Sequence, residues 1–356
     1  MTPSSTATPA APQSTAVPLP PPGHEELQSA VDGWLLDTGT VGVAVVALLP
    51  DGRNLSAVGG WSDRELETPM AADAIFRIGS VTKVYTAALV MQLAEEGLLT
   101  LDDSVQEYVP AAPAEMTVGQ LLRHQSGLRD VDVAAGIFEA IQNPTETAAP
   151  EDTISSALEQ LAFEPGLRQS YSSIGYLVLE RVVEATTGQE YEDALRERIL
   201  VPLGLAATML ERSDSVLATP YERLSPSGPQ ISLAALPTTG LARAAGAAGA
   251  LTAPAREVAA FAGALFEAKI VGRDSLMTMM NTSGEPFAEF GTGLAVYTVS
   301  GGETFGHNGR TIGFASSLRH DPAGGVTVVV LSNDGSAATD ELADSLVALL
   351  VRSSGS

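Results

Sequence analysis

Residues 77–86 read R-I-G-S-V-T-K-V-Y-T, and the run that continues them, S-V-T-K-V-Y-T-A-A-L-V-M-Q-L-A-E-E-G-L-L, carries a strong helix signal closed by Gly97. Lys83 is one of two lysines in the chain. The other is Lys269, so 17 of the 19 basic residues are arginine. Positions 80 and 83 lie one above the other on a helix surface. Gly79 and the onset of apolar periodicity place Ser80 in the first turn, where free backbone N–H groups and the helix dipole favour a developing negative charge. A partly buried amine can give up its proton, whereas a guanidinium effectively cannot. A Ser–Lys pair therefore suits a nucleophile and its base, and a Ser–Arg pair does not. The plainer alternative is a capping serine followed by a surface lysine, because S-x-x-K alone is common by chance.

Two distant stretches offer partners. Q-S-Y-S-S-I-G-Y-L, 169–177, lies at a loop-to-helix junction after the turn E-P-G. A phenol at Tyr171 could relay the nucleophile's proton to a leaving group; otherwise it packs the helix start. F-G-H-N-G-R-T-I-G-F-A, 305–315, has glycines that allow close backbone approach by a ligand at a strand end. His307 there either donates a hydrogen bond or bears charge near pH 6 to 7, or is a turn histidine at a hairpin end.

Outward from these motifs the chain divides by pattern. E-E-L-Q-S-A-V-D-G-W-L-L-D-T, beginning near His24, reads as a helix. V-G-V-A-V-V-A-L-L-P-D-G-R-N-L-S-A-V-G-G reads as a hairpin. From 98 to 252 helical patterns alternate with Pro and Gly, and strand signals are lacking. The last hundred residues are short β-rich runs, with P-A-G-G at 322–325 as a hairpin turn, before the closing helix T-D-E-L-A-D-S-L-V-A-L-L-V-R. The expected fold is α+β, an α/β sandwich. A mostly antiparallel sheet, from 23–97 and 253–356, is flanked by N- and C-terminal helices and carries an inserted all-helical subdomain, 98–252. Residues 1–22 are almost wholly Pro, Ala, Ser and Thr and read as a disordered tether. That tether would suit a spacer behind a trimmed export signal, so a cell-envelope or extracellular location is expected.

Composition removes several functions. With 356 residues, 45% hydrophobic content and a net charge of −24, the chain reads as globular and poorly suited to nucleic acid or anionic membrane surfaces. It has no cysteine, which rules out disulfides and thiolate catalysis. Its four histidines are widely spaced without an H-E-x-x-H pattern, and no apolar run reaches the roughly 18 residues of a membrane span. Neither a metal nor another cofactor is expected. G-x-S-x-G is absent, so an α/β-hydrolase elbow is unsupported. Glu95, Glu96, Asp102 and Asp103 read as solvated charge rather than a glycosidase pair.

The order S-x-x-K, Y-x-N, K/H-x-G resembles that of serine β-lactamases and penicillin-binding proteins. The detail is most similar to the group of class C β-lactamases, D-alanyl-D-alanine carboxypeptidases and their esterase relatives. F-R-I-G-S-V-T-K, T-V-G-Q-L-L-R-H-Q-S-G-L, Y-S-S-I-G-Y-L-V-L-E-R-V-V-E-A-T-T-G and G-H-N-G-R-T-I-G-F-A-S-S-L carry the likeness, which runs from about 30 to 350. The resemblance implies that Ser80 is acylated, that Lys83 activates it, and that Tyr171 is the tyrosine of Y-x-N. It also implies that His307, Asn308 and Gly309 form the strand beside the substrate. The oxyanion hole would come from the N–H groups of Ser80 and Arg310, worth several kcal/mol in the barrier. His124, in the same motif set, is read as structural.

Two departures matter. Ser173 stands where the family has Asn, which puts recognition of an amide side chain in doubt. The strand motif begins with His, a pattern seen among DD-peptidase-like members. A carboxypeptidase also needs a cation for the substrate's terminal carboxylate; Arg310 is a candidate and Arg243 a weaker one. The expectation is a monomeric serine hydrolase acting on a small peptide, ester or β-lactam, foremost a D-alanyl-D-alanine carboxypeptidase. The alternatives are a carboxylesterase, a β-lactamase or an inactive cell-wall-peptide binding protein.

Overall fold

The structure is a computed structural model and describes residues 23–130, 150–211, 217–225, 228–235, 239–282 and 289–354. The Pro-rich stretch 1–22 lies outside the described residues. Helix α1 (His24–Thr38) ends at Gly39, whose φ of 65° closes the turn in the left-handed region. Strands β1 (Gly42–Leu48) and β2 (Asn54–Asp63) follow as the expected hairpin, and the short β3 (Thr68–Pro69) pairs with β2. The C-terminal part supplies β9 (Ala295–Val299), β10 (Gly302–Thr311), β11 (Phe314–Asp321) and β12 (Val326–Ser332). Together they form one antiparallel sheet in the order β3-β2-β1-β12-β11-β10-β9. N- and C-terminal strands meet where β1 pairs with β12, Val45 opposite Val330.

Both faces of β1 and β12 are covered, which is why they read as continuous apolar runs. Val43, Val45, Val328 and Val330 pack with Leu27 and Val31 of α1 and with Leu342, Leu346 and Leu350 of the last helix, Thr339–Ser354. Ala44, Val46, Val329 and Leu331 face the opposite way, into a core shared with the central helix α2 (Thr82–Glu95) and the helix Ala255–Phe266. Helix α2 is buried on nearly every side, from Thr82 to Leu93, as expected of a helix with no polar stripe.

The stretch 98–252 contributes α3 (Val118–Leu122), α4 (Pro150–Glu159), α5 (Ser173–Thr187), α6 (Tyr191–Leu195) and α7 (Thr239–Gly249). It also holds short strands that its helical reading did not include. Strand β5 (Met209–Leu210) pairs with β8 (Leu251–Ala253), which pairs with β4 (Phe76–Arg77), and β6 (Tyr221–Arg223) pairs with β7 (Gln230–Ser232). Pieces of two or three residues are too short to show the two-residue period from which a strand is recognised. Among the described residues no helix is long and apolar enough to cross a membrane.

Candidate functional site

Ser80 sits in a single 3-10 turn, Gly79–Val81, that leads into α2, rather than in the first α-helical turn. Gly79 has φ +50°, and a Cβ there would stand 2.9 Å from the Arg310 nitrogen. The turn thus needs glycine both for its left-handed backbone and for its approach to β10. Because α2 is a core helix, the position one turn beyond Ser80 points inward, and Lys83 is fully buried.

The Lys83 amine meets three partners. Nζ lies 3.0 Å from Ser80 Oγ, 3.3 Å from Ser173 Oγ and 2.8 Å from the Ala248 carbonyl oxygen. A break in α7 at Gly246 (φ 37°, ψ −134°) presents the carbonyls of Ala247 and Ala248 to Thr86 and Lys83. Burial pulls the Lys83 amine down from 10.5 to about 7, opposed by the carboxylate of Asp130, which favours the charged form. The three contacts suit either protonation state. As an ammonium Lys83 donates to all three. As a neutral amine it donates to Ala248 O and Ser173 Oγ and accepts the Ser80 hydroxyl proton on its lone pair.

Tyr171 completes the cluster, its hydroxyl donating to Ser80 Oγ at 2.8 Å. Burial raises its pKa well above the ordinary phenol value, so it is a neutral O–H donor. Its loop is tied to residues 124–130. Ser170 N–H bonds the His124 carbonyl, Ser172 N–H donates to His124 Nδ1 at 3.2 Å, and Ser173 N–H donates to Asp130 Oδ1 at 2.7 Å. Ser172 caps α5 through its hydroxyl, and Ser173 is the helix's first residue. Ser173 thus reaches Lys83 directly. The His124 ring packs 4.5 Å from the Tyr171 ring. Burial, with Lys83 and His307 nearby, keeps His124 neutral.

The third stretch differs from its hairpin-end reading. His307 lies in mid-strand, opposite Leu318, and the turn falls at Ile312–Gly313 between the paired residues Thr311 and Phe314. Glycine is ambiguous in sequence: Gly309 serves close packing, since a Cβ there would collide with the Ile78 carbonyl and Ser316 Oγ. Side chains alternate along the strand, so His307 and Gly309 face the Ser80 turn while Asn308 and Arg310 do not. The Asn308 side chain, expected beside the substrate, accepts instead from Arg319 at 2.7 Å and from Ser317 at 3.1 Å. The Arg310 guanidinium, expected as a candidate cation for a substrate carboxylate, lies 3.8 Å from the buried Glu222 carboxylate. The Arg243 side chain lies outside the described residues.

The Arg310 backbone is placed differently from its side chain. Asn308 N–H leaves β10 on the β9 side and donates to Tyr297 Oη at 3.0 Å. The Arg310 N–H, two residues on, points the same way, past Ala295, where pairing with β9 ends. Across from it the Ser80 turn comes close at Gly79, where a Cβ would stand 2.9 Å from the Arg310 nitrogen. His307 is neutral, not charged near neutrality: burial and the neighbouring Lys83 push it down to about 3. Its Nδ1 contacts the Asn308 carbonyl at 2.5 Å and so carries the proton. That leaves Nε2 as a buried lone pair with no protein partner.

Ser80, Lys83, Tyr171, Ser173, His307 and Gly309 are therefore brought together, while the side chains of Asn308 and Arg310 are not. Asp130, Phe290 and the Ala248 carbonyl also belong to the surroundings and carried no motif, and Gln169 opens the Q-S-Y-S-S stretch without having been given a role. Among the described residues no group of three or more His, Asp or Glu side chains could hold a metal ion. The arrangement has parts for acyl transfer, a hydroxyl between an amine and a phenol.

A family model described as Beta-lactamase matches residues 27–352. Penicillin-binding protein 4 of Amycolatopsis lactamdurans is 30% identical over 345 residues, covering 88% of this chain and 86% of that protein. A D-aminopeptidase of Brucella anthropi is 33% identical over 183 residues, 50% of this chain but only 35% of that longer protein. Among solved structures, a D-stereospecific amidohydrolase from Streptomyces sp. superposes with a TM-score of 0.78 at 26% identity, over 90% of this chain and 97% of that one. With a family match over nearly the whole folded chain and a sheet and helical layer arranged as in these relatives, the chain belongs to the beta-lactamase family.

Proposed function

We propose that the protein is a serine hydrolase that forms a covalent acyl-enzyme on Ser80. One observation carries the reading: Ser80 Oγ stands 3.0 Å from a buried lysine amine and 2.8 Å from the Tyr171 hydroxyl. Neutral Lys83 takes the hydroxyl proton as Oγ bonds to the substrate carbonyl carbon. The resulting oxyanion accepts hydrogen bonds from the N–H groups of Ser80 and Arg310, each such donor typically worth about 3 kcal/mol in the barrier. Tyr171 passes a proton to the leaving group as the tetrahedral intermediate collapses and regains it from Lys83. Water then attacks the ester, with Lys83 again as base, and Ser80 recovers its proton as the acid departs.

Within this class, esters and amides without a terminal carboxylate rank ahead of the D-alanyl-D-alanine carboxypeptidase reading. The latter, like β-lactam binding, calls for a cation near the substrate carboxylate, and the Arg310 side chain is turned toward Glu222. The relatives named D-aminopeptidase and D-stereospecific amidohydrolase support amide substrates, and the relative named penicillin-binding protein 4 supports β-lactam binding. A fluorophosphonate probe is expected to label wild type at Ser80 and to leave Ser80→Ala unlabelled; labelling of both alike would remove the proposal. A panel of an aryl ester, an amino-acid amide, a chromogenic cephalosporin and a D-Ala-D-Ala peptide then orders the substrates.

A further inference from the structure

Gln169 lies two residues before Tyr171 and makes every hydrogen bond its amide can make. Nε2 donates to the carbonyls of Arg123 and Phe290, both at 2.9 Å. Oε1 accepts from the N–H groups of Glu289 at 3.1 Å and Phe290 at 3.2 Å. Three of these four bonds go to a segment some 120 residues away in sequence. The side chain therefore clips residues 289–290 to the Tyr171 loop. On the other side Gly293 N–H bonds the Leu122 carbonyl, and Phe290 bridges to Ala295 at the start of β9.

The clip fixes one ring. Phe290 stands 5.4 Å from the Tyr171 ring, 6.0 Å from His307 and 4.7 Å from His124, centroid to centroid. Tyr171 touches Ser80, and His307 faces the Ser80 turn. Phe290 is only half-buried. A ring whose role was only to fill the core would be covered on all sides; this one is partly exposed while packing against the ring of Tyr171, whose hydroxyl bonds Ser80 Oγ. The rings around it are uncharged, a neutral phenol and two neutral imidazoles.

We propose that Phe290, held in place by Gln169, is a specificity-determining wall against which the substrate's acyl side chain packs. The enzyme accordingly favours acyl groups bearing an apolar, ring-sized side chain over a bare acetyl group. This rests on the acyl-enzyme reading given above. Phe290 acts by contact with substrate; Gln169 is a positioning residue that acts through it.

The test compares kcat/KM for p-nitrophenyl phenylacetate with that for p-nitrophenyl acetate on the full chain. The leaving group is shared, so the ratio reports the acyl side chain alone. Wild type favours phenylacetate, and Phe290→Ala lowers the ratio about tenfold, the scale of lost contact in an apolar pocket. Phe290→Leu keeps apolar bulk and falls between the two, and it decides the matter if the alanine variant does not fold. Gln169→Glu, which loses both Nε2 donors, lowers the ratio in the same direction. A purely structural role would slow both esters in proportion, so an unchanged ratio in folded Phe290 variants overturns the proposal, as does a wild type indifferent to the acyl group. Ser80→Ala separates the two ideas. Turnover that survives it sinks the acyl-enzyme reading itself, whereas its loss together with an unchanged Phe290 ratio sinks only the wall.

Discussion

Replacing Lys83 by methionine tests whether the amine is held deprotonatable by burial. Bringing an amine from 10.5 in the unfolded chain to about 7 in the folded one corresponds to about 5 kcal/mol of lost stability at low pH. Methionine matches the length and removes that cost. It also strips a partner from Ala248 O, Ser173 Oγ and Ser80 Oγ, at about 1 kcal/mol each. The variant is therefore expected to be inactive yet more stable by about 2 kcal/mol near pH 6.5. The pH dependence carries the sign. Below about 7 both states of wild type hold the proton, and between about 7 and 10.5 only the unfolded state does. Wild-type stability then rises by up to about 1.4 kcal/mol per pH unit from this group. The methionine variant lacks that rise, so its advantage shrinks and reverses between about pH 8 and 9. Denaturant unfolding of both proteins at fixed pH from 6 to 10 measures the difference, in which other titrating groups cancel. A difference that stays constant over that range would refute the reasoning, whatever the activity of the variant.

Five further outcomes are expected. The acylation rate of wild type rises with pH through about 7 as Lys83 loses its proton. Lys83→Arg abolishes it without unfolding the chain, because a guanidinium keeps its proton; near-normal labelling by the probe would remove Lys83 as base. Asp130→Asn moves the same limb to lower pH, since its carboxylate favours the ammonium form, and a limb that stays put would show that the charge at 130 does not reach the amine. Gly309→Ala forces β10 away from the Ile78 carbonyl and shifts the Arg310 N–H from Ser80, with an expected loss of about a hundredfold in kcat/KM; a circular dichroism spectrum like wild type would show that the loss is local. Asn308→Ala leaves Arg319 short of an acceptor and is expected to cost about 1–3 kcal/mol in denaturant unfolding while acylation stays within a few fold, whereas a large kinetic loss at wild-type stability would return the Asn308 side chain to the substrate.

The parts of the fold legible in sequence were those long enough to display a period. Helix α1, helix α2 and the first hairpin belong there, as does the spacing that stacks Ser80 on Lys83; the turn at 322–325 showed through its proline and glycines instead. The short strands around 209–253 were not legible, because two or three residues carry no alternation. The glycines at 306 and 309 signal close backbone approach, not a strand end, and composition does not distinguish the two. The side chains of Asn308 and Arg310 lie away from the Ser80 turn for a related reason: a motif names neighbours along the chain, while a strand sends alternate neighbours to opposite faces. Asp130, Gln169 and Phe290 act through contacts made across 40 to 120 residues of chain. The Ala248 carbonyl is backbone, which no residue type announces.

The burial of Lys83 is an intermediate case and the one on which the chemistry turns. S-x-x-K spacing places an amine beside a hydroxyl on any helix, and on an amphipathic surface helix that amine would sit in water near its ordinary value. What lowers it here is that α2 has no solvent face: between Thr82 and Leu93 only Gln92 is not buried. The sequence already contains that fact, because V-T-K-V-Y-T-A-A-L-V-M-Q-L-A holds one charged residue in fourteen. A helix without a polar stripe is a core helix, and a lone lysine in a core helix must either find a counter-charge or be free to lose its proton. Asp130 supplies only a partial counter-charge, from an exposed position at the far side of Ser173. The amine is left near neutrality, where it can both accept the Ser80 proton and return it.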